Sequence, residues 1–368
     1  MGAMSGSSLS FELNTTEEEE KAVYLAGNFN DWKVSDPSYR MNKVAKGKYR
    51  FDFPANATLP KKIEYKYLRS DWDEVELDEY GNPTPNRTVD SDRTQIVDYV
   101  PRWKKNGLTY QPELLPEIRI ISENFEIPQL IKTRRIAALL PHNYAQTDQR
   151  YPVLYLQDGQ NLFDDYAPYG NWGLDKKLAV MAEKGQGDLI IVAIDHAEEE
   201  RIAEFTPSAN TKLGRGQGKK YVRFLADTLK PFIDKHFRTL PDRSNTGIGG
   251  SSMGGLISIY AGLMYPEVYS RLMIFSPSLW AAPNIHFHAI NLEAASDVKI
   301  YLYAGGEESV NMIPNINNFR SAIEKQGIEV NIDFKVSIDP KGKHNEARWG
   351  EEFPKAAEWL FYGGPSVG

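Results

Sequence analysis

The sequence predicts a chain in two parts, a small all-β immunoglobulin-like sandwich followed by an α/β domain built on a mostly parallel central sheet. Three observations lead there. Between Leu9 and about Tyr99 short alternating apolar segments are separated by Gly, Asn, Asp and Pro clusters. From Pro116 onward, near-continuous apolar runs alternate with longer amphipathic stretches. The chain's 368 residues suffice for two cores. Alternation marks strands with one face in water, whereas unbroken apolar runs mark strands covered on both faces.

In the first part, strands are expected at Ser10 to Leu13, Lys21 to Ala26, Gly47 to Phe53, Lys62 to Leu68 and Thr94 to Tyr99, forming a small antiparallel sandwich over 9–100. The acidic run Glu17 to Glu20 reads as a solvated turn. Residues 1–8 lack the charged and apolar regions of a leader and read as a tag and spacer. The polar, proline-marked stretch that contains Pro101-Arg102-Trp103-Lys104-Lys105-Asn106-Gly107 and Gln111-Pro112-Glu113 places a linker at 101–115.

In the second part, 116–364, buried strands are expected at Val153 to Leu156, Leu189 to Ile194, Thr246 to Gly249, Leu272 to Phe275, Lys299 to Tyr303 and Ile332 to Val336. Tyr221, Phe224, Leu225, Leu229, Phe232, Ile233 and Phe237 recur at helical spacing, with Pro231 placed to bend that helix and His236 at its end.

Composition narrows the partners. A net charge of -7, with no basic run interleaved with aromatics, disfavours nucleic acid and anionic membranes. No stretch of eighteen apolar residues occurs. Without cysteine there is no disulfide framework, thiolate nucleophile or cysteine metal site. A periplasmic or secreted location is compatible with all of this.

The run Gly249-Gly250-Ser251-Ser252-Met253-Gly254-Gly255 follows the apolar Thr246-Gly247-Ile248 and precedes a helical stretch, Leu256 to Met264. In a G-x-S-x-G frame Gly250, Ser252 and Gly254 fall into register, whereas Ser251 fails because Met253 would have to be glycine. A strand driven through so sharp a turn holds one hydroxyl above the sheet, beside the dipole of the following helix. Ser252 is therefore the nucleophile candidate.

A serine hydroxyl needs a base within hydrogen-bond reach and an acid to orient that base. In the α/β-hydrolase layout the chain order is Ser, Asp or Glu, His. Among six histidines, only His344, in the loop Pro340 to Glu346, follows the serine with a strand-helix unit to spare. His286 is the reserve base; His196, just after the strand ending at Ile194, is expected to line the pocket. His142, His236 and His288 lie in a turn, at a helix end and in a loop. The acid is expected from the turn Ala304-Gly305-Gly306-Glu307-Glu308-Ser309, as Glu307 or Glu308.

Two backbone N–H groups should bind the oxyanion, that of Met253 and that of Gln160 in the loop Gln157 to Asp164. Asp158 is expected to point its carboxylate away and hold that loop. Asp158, Asp164 and Asp165 lack calcium-loop spacing, so neither metal nor cofactor is expected. Trp172 and Trp280, both after strands, are pocket-wall candidates.

The phrases Arg150 to Phe163, Gly249 to Gly255, Phe275-Ser276-Pro277-Ser278-Leu279-Trp280 and Gly342-Lys343-His344-Asn345-Glu346 resemble an esterase family of α/β-hydrolases. That family includes feruloyl, acetyl-xylan, esterase D-like and enterochelin esterases. The resemblance covers roughly Pro116 to Tyr362. It implies Ser252 as nucleophile, His344 as base and Glu308 as acid, with Asp158 standing where many relatives have histidine.

Val23 to Trp32, Ile63 to Leu68 and Asn86-Arg87 are similar to starch- and glycogen-binding modules. This implies a glycan partner contacted by Trp72, Lys66 and Asn86, with Trp32 in the core. The joint expectation is a serine esterase acting on a feruloyl or acetyl ester of a plant polysaccharide. The alternatives are an enterochelin-type siderophore trilactone esterase and a non-catalytic glycan-binding protein.

Overall fold

Alternation in the first hundred residues produces two main sheets sharing one core. The computed structural model describes residues 9–16, 21–207, 214–292, 297–325 and 332–363. The expected tag at 1–8 and the acidic run Glu17 to Glu20 lie outside them. The chain divides into two units, Met1–Pro112 and Glu113–Gly368.

In the first unit the strands are β1 (Ser10–Thr15), β2 (Tyr24–Gly27), β3 (Asn42–Ala45), β4 (Lys48–Asp52), β5 (Lys62–Leu68), β6 (Glu76–Leu77), β7 (Arg87–Asp90), β8 (Gln95–Val100) and β9 (Arg102–Trp103). They form sheets of order β3-β4-β1-β8, β2-β5-β7 and β6-β9. Phe11 and Leu13 of β1 pack with Leu25, Ile63, Tyr65 and Tyr67 of the second sheet. The rings of Phe11 and Tyr65 meet edge to face at 4.8 Å.

Three expectations for this unit need correction. The sandwich is not wholly antiparallel, since β1 and β8 pair in parallel. The chain between them is long enough to cross to the other sheet and return, as a parallel pair requires. The expected linker at 101–115 is in part structured. Within it β9 pairs with β6, and Trp103 is buried with its indole N–H donating to Thr15 Oγ1 at 3.0 Å. An indole in the core anchors this segment, so the first unit runs to Pro112. Trp32 is half-buried, at φ 58, with its ring 6.3 Å from that of Trp72; it sits in a turn rather than the core.

The second unit holds an eight-stranded sheet of order β10-β11-β13-β12-β14-β15-β16-β17. Its strands are β10 (Glu117–Ile127), β11 (Lys132–Leu140), β12 (Val153–Gln157), β13 (Ile190–Ile194), β14 (Thr246–Ser251), β15 (Arg271–Phe275), β16 (Val298–Gly305) and β17 (Ile332–Asp339). From β13 to β17 in that order every pairing is parallel, while β10, β11 and β13 pair antiparallel.

Successive residues of these strands face opposite layers. Val153 and Tyr155 enter one core, and Leu154 and Leu156 the other. The helices are α1 (Leu174–Glu183), α2 (Arg201–Glu204), α3 (Gly218–Phe224), α4 (Lys230–His236), α5 (Met253–Met264), α6 (Met312–Glu324) and α7 (Glu346–Ala357). Leu178 of α1 and Phe353 of α7 pack in one layer; Phe224, Ile233, Leu256 and Ile316 of α3 to α6 pack in the other. Each such aliphatic or aromatic side chain, fully buried, contributes roughly 1.5–3 kcal/mol. Helices α3 and α4 form one continuous rod through a π-helical turn, Leu225–Leu229, just before Pro231. That wider turn accommodates the proline, which lacks an N–H for the regular ladder.

Candidate active site

The chemistry-bearing side chains gather at the C-terminal ends of the parallel strands. Asp158 follows β12, His196 β13, Ser252 β14, Ser276 and Ser278 β15, Glu308 β16 and His344 β17. Loops there are free to vary while the sheet fixes their bases.

Strand β14 passes into α5 through Ser252 at φ 56 and ψ -122. A non-glycine residue in that region is strained, and the strain persists because both flanks are held. Ser252 N–H donates to Phe275 O at 3.0 Å, and its carbonyl accepts from Ser278 N–H at 3.0 Å. The turn also needs bare neighbours. A Cβ on Gly250 would lie 2.9 Å from the carbonyl carbon of Gly254, and one on Gly254 would lie 2.8 Å from Asp158 Oδ2. Oγ of Ser252 hydrogen-bonds Ser278 Oγ at 3.3 Å.

Glu308 is almost fully buried, and its Oε2 lies 2.8 Å from Nδ1 of His344. Its Oε1 accepts from Ser276 Oγ at 2.6 Å and from Gly305 N–H at 2.7 Å. Ser276 Oγ in turn accepts from the indole of Trp349 at 2.9 Å, and that indole packs edge-on to His344, 4.8 Å between centroids. Glu307, its neighbour, is exposed. His344 and Ser252 share one cleft of about 900 Å³ without a direct hydrogen bond between them. Contacts of this kind commonly tighten only with substrate bound.

The Met253 N–H is the first of α5, among those with no acceptor inside the helix. In the short 3-10 turn Gly159–Asn161, Asn161 N–H donates back to Asp158 O, leaving the Gln160 N–H ahead of the first internal bond. Asp158, at φ 59, starts this turn. Its carboxylate is gripped by Arg201, Nε to Oδ1 at 2.6 Å and Nη2 to Oδ2 at 2.8 Å. Burial works against the Arg201 charge, but Asp158 outweighs it and holds the guanidinium above its ordinary range. The side chain of Gln160 accepts from His196 N–H at 2.9 Å.

His196 lines the cleft; its Nδ1 accepts from Glu198 N–H at 2.9 Å, so Nε2 carries the proton of the neutral ring. Burial pushes its pKa below the usual range, outweighing nearby Asp158. Trp172 contributes to the cleft wall while only 3% exposed, stacked on Phe275 at 5.3 Å. Trp280, 61% exposed, lines a second, largely apolar cavity of about 740 Å³ that also reaches His344. The reserve base His286 lines that second cavity. His236 stacks on Phe232 and bonds Phe232 O; His288 packs against Tyr260; His142 lies beside Leu178 and Leu189. Among the described residues no group of three metal-ligating side chains occurs. No described helix is long and apolar enough to cross a membrane.

In the first unit Trp72 is 42% exposed and Asn86 is exposed. Lys66 departs from expectation. Its ammonium donates to Thr84 O at 2.6 Å, Thr84 Oγ1 at 2.9 Å and Pro85 O at 3.3 Å, so it braces a loop. Half-burial pushes its pKa down.

Fold and chemistry together define an enzyme of the α/β-hydrolase type that acts on esters. The chain belongs to the esterase family whose model, described as "Putative esterase", matches residues 128–360. Over 244 residues the chain is 24% identical to the uncharacterized protein YbbA of Bacillus subtilis, covering 62% of this chain and 92% of that protein. It is 26% identical over 204 residues to the ferri-bacillibactin esterase BesA of B. subtilis, covering 48% and 67%. It is 28% identical over 151 residues to an endo-1,4-beta-xylanase/feruloyl esterase of Xylanibacter ruminicola, covering 40% and 20%. The solved enterobactin esterase FES of Shigella flexneri shares the fold at a TM-score of 0.52 and 17% identity, covering 96% of this chain and 93% of that one.

Proposed function

We propose that the protein is a serine esterase working through an acyl-serine intermediate on Ser252. The observation that carries this reading is the Glu308–His344 pair, whose histidine shares a cleft with a strained serine at a strand-to-helix turn. His344 Nε2 takes the hydroxyl proton as Ser252 Oγ attacks the ester carbonyl carbon. Glu308 holds the ring through Nδ1–H and stabilises the imidazolium. The oxyanion accepts from the N–H groups of Met253 and Gln160. Collapse breaks the bond to the alcohol oxygen, which leaves with the proton from His344. Water then attacks the acyl-serine, His344 takes its proton, and the second collapse releases the acid and returns the proton to Ser252.

The alcohol half is read as a carbohydrate, with a feruloyl or acetyl ester of a plant polysaccharide as substrate; similarity to a xylanase/feruloyl esterase supports it. The exposed Trp72, beside Trp32, is read as the glycan platform of the first unit, with Asn86 as a hydrogen-bonding partner. A siderophore trilactone is the second reading, favoured by similarity to a ferri-bacillibactin esterase. Turnover of methyl ferulate, acetylated xylan and a catecholate trilactone by wild type and Ser252→Ala decides. Equal slow rates for both proteins would remove Ser252 from the chemistry, and trilactone preference would reverse the substrate order.

A further inference from the structure

We propose that the cleft over Ser252 selects by charge, admitting an uncharged polyhydroxylated alcohol and turning away anions, with Glu198 and Glu199 making that choice. The inference rests on the serine-esterase reading and adds which alcohols the site takes.

Its basis is the set of groups around the cleft. Five carboxylates line it: Asp158, Asp195, Glu198, Glu199 and Glu346. Arg201 is the only lysine or arginine among the described lining residues, and it is already bidentate to Asp158. Asp195 pairs with Arg135 at 3.5 Å. Glu198 and Glu199 form no ion pair among the described residues, whereas burial pushes the Glu346 pKa up, outweighing the pull of His344 and Arg201; His196 is neutral in the tautomer its contacts require. An anionic substrate therefore meets unpaired negative charge with no cation to receive it, in a concave space where the field is less screened than on open surface.

The same groups suit hydroxyls. A carboxylate accepts from two neighbouring donors, as vicinal diols supply. Tyr169, 68% exposed on the rim, offers a ring face to the apolar side of a sugar. This arrangement opposes a ferric tris-catecholate, which carries several negative charges.

The experiment compares kcat/KM for methyl 4-acetoxybenzoate and 4-acetoxybenzoate, which differ by one negative charge on the alcohol half. At low ionic strength the anion should be slower by about tenfold, and the gap should close several-fold at 0.5 M salt. Glu198→Gln combined with Glu199→Gln should raise the anion-to-neutral ratio about threefold; both positions are exposed, and a ratio is independent of the active fraction. Titration of both esters into Ser252→Ala gives the same comparison without turnover. Among neutral esters, an acetylated methyl xyloside should outrun butyl acetate. A salt-independent ratio, or one unmoved by the double variant, overturns charge selection; equal xyloside and butyl rates overturn the polyol assignment. Undiminished hydrolysis by Ser252→Ala would instead strike the serine reading.

Discussion

The two oxygens of Glu308 do different work: Oε2 meets His344 Nδ1 at 2.8 Å, while Oε1 accepts from Ser276 Oγ and the Gly305 N–H. The carboxylate cannot rotate without breaking three hydrogen bonds. Glu308→Gln should keep the fold but offer His344 the wrong partner, lowering kcat by about 10³- to 10⁴-fold. Glu307→Gln, altering an exposed neighbour, should stay within about twofold of wild type. Steady-state kinetics on 4-nitrophenyl acetate separates the two, and similar losses in both would argue against this assignment.

Arg201 fastens the loop that presents the Gln160 amide. Arg201→Met should leave the Asp158 carboxylate buried without its partner, costing about 3 kcal/mol of stability and at least tenfold in kcat. Thermal melting with kinetics at a temperature well below the transition tests both. A variant of wild-type kcat would mean that the loop holds its shape unaided.

Gly254 sits against Gln157 Cβ at 3.0 Å and Asp158 Oδ2 at 2.8 Å, measured from the position its own Cβ would take. Gly254→Ala should push the Gln157–Asp158 segment off the elbow, destabilising by about 1–3 kcal/mol. Activity should fall further than the melting temperature implies, which a crystal structure of the variant would explain by a displaced Gln160.

Acid sensitivity should centre on Glu352. Burial pushes its pKa up, but hydrogen bonds from Ser337, Tyr301 and Arg348 and the charge of Lys355 outweigh that and hold it below the usual carboxylate range. A depressed folded pKa adds stability above about pH 4.5 that is lost as pH falls through the folded value. The melting-temperature gap between wild type and Glu352→Gln should therefore be widest near neutrality and shrink below about pH 4.5. A constant gap would assign its role to packing.

The first unit should bind glycan through Trp72. Trp72→Ala should abolish the heat of titration with maltooligosaccharides or xylooligosaccharides at millimolar ligand. Lys66→Ala should act mainly on stability, because its ammonium holds Thr84 and Pro85. Absence of heat with the unmodified protein would remove the glycan from the first unit.

The parallel strands were legible because each is apolar on both faces, and the elbow because its glycines and serine occupy fixed positions on a strand-to-helix turn. The hairpin β10–β11 was not, since exposed Ile118 and Ile120 share β10 with Glu117, Arg119 and Glu123, and two register shifts break its alternation. Strand β3 was hidden for the same reason, exposing all four residues. That Ser252, Glu308 and His344 follow successive parallel strands could be read from chain order. Arg201 and Ser276 could not: their roles exist only once β12, β13 and β15 lie side by side, and no local spacing records that. Trp72 was legible as an exposed indole; its pairing with Trp32 depends on a positive φ that sequence does not announce.

Helix α5 is buried over eleven of its twelve residues, Met253 to Leu263. Its amides should therefore exchange with solvent deuterium only when the second unit opens as a whole. Heat inactivation should then track the melting of that unit instead of preceding it, making esterase turnover a direct gauge of how much of the unit remains folded.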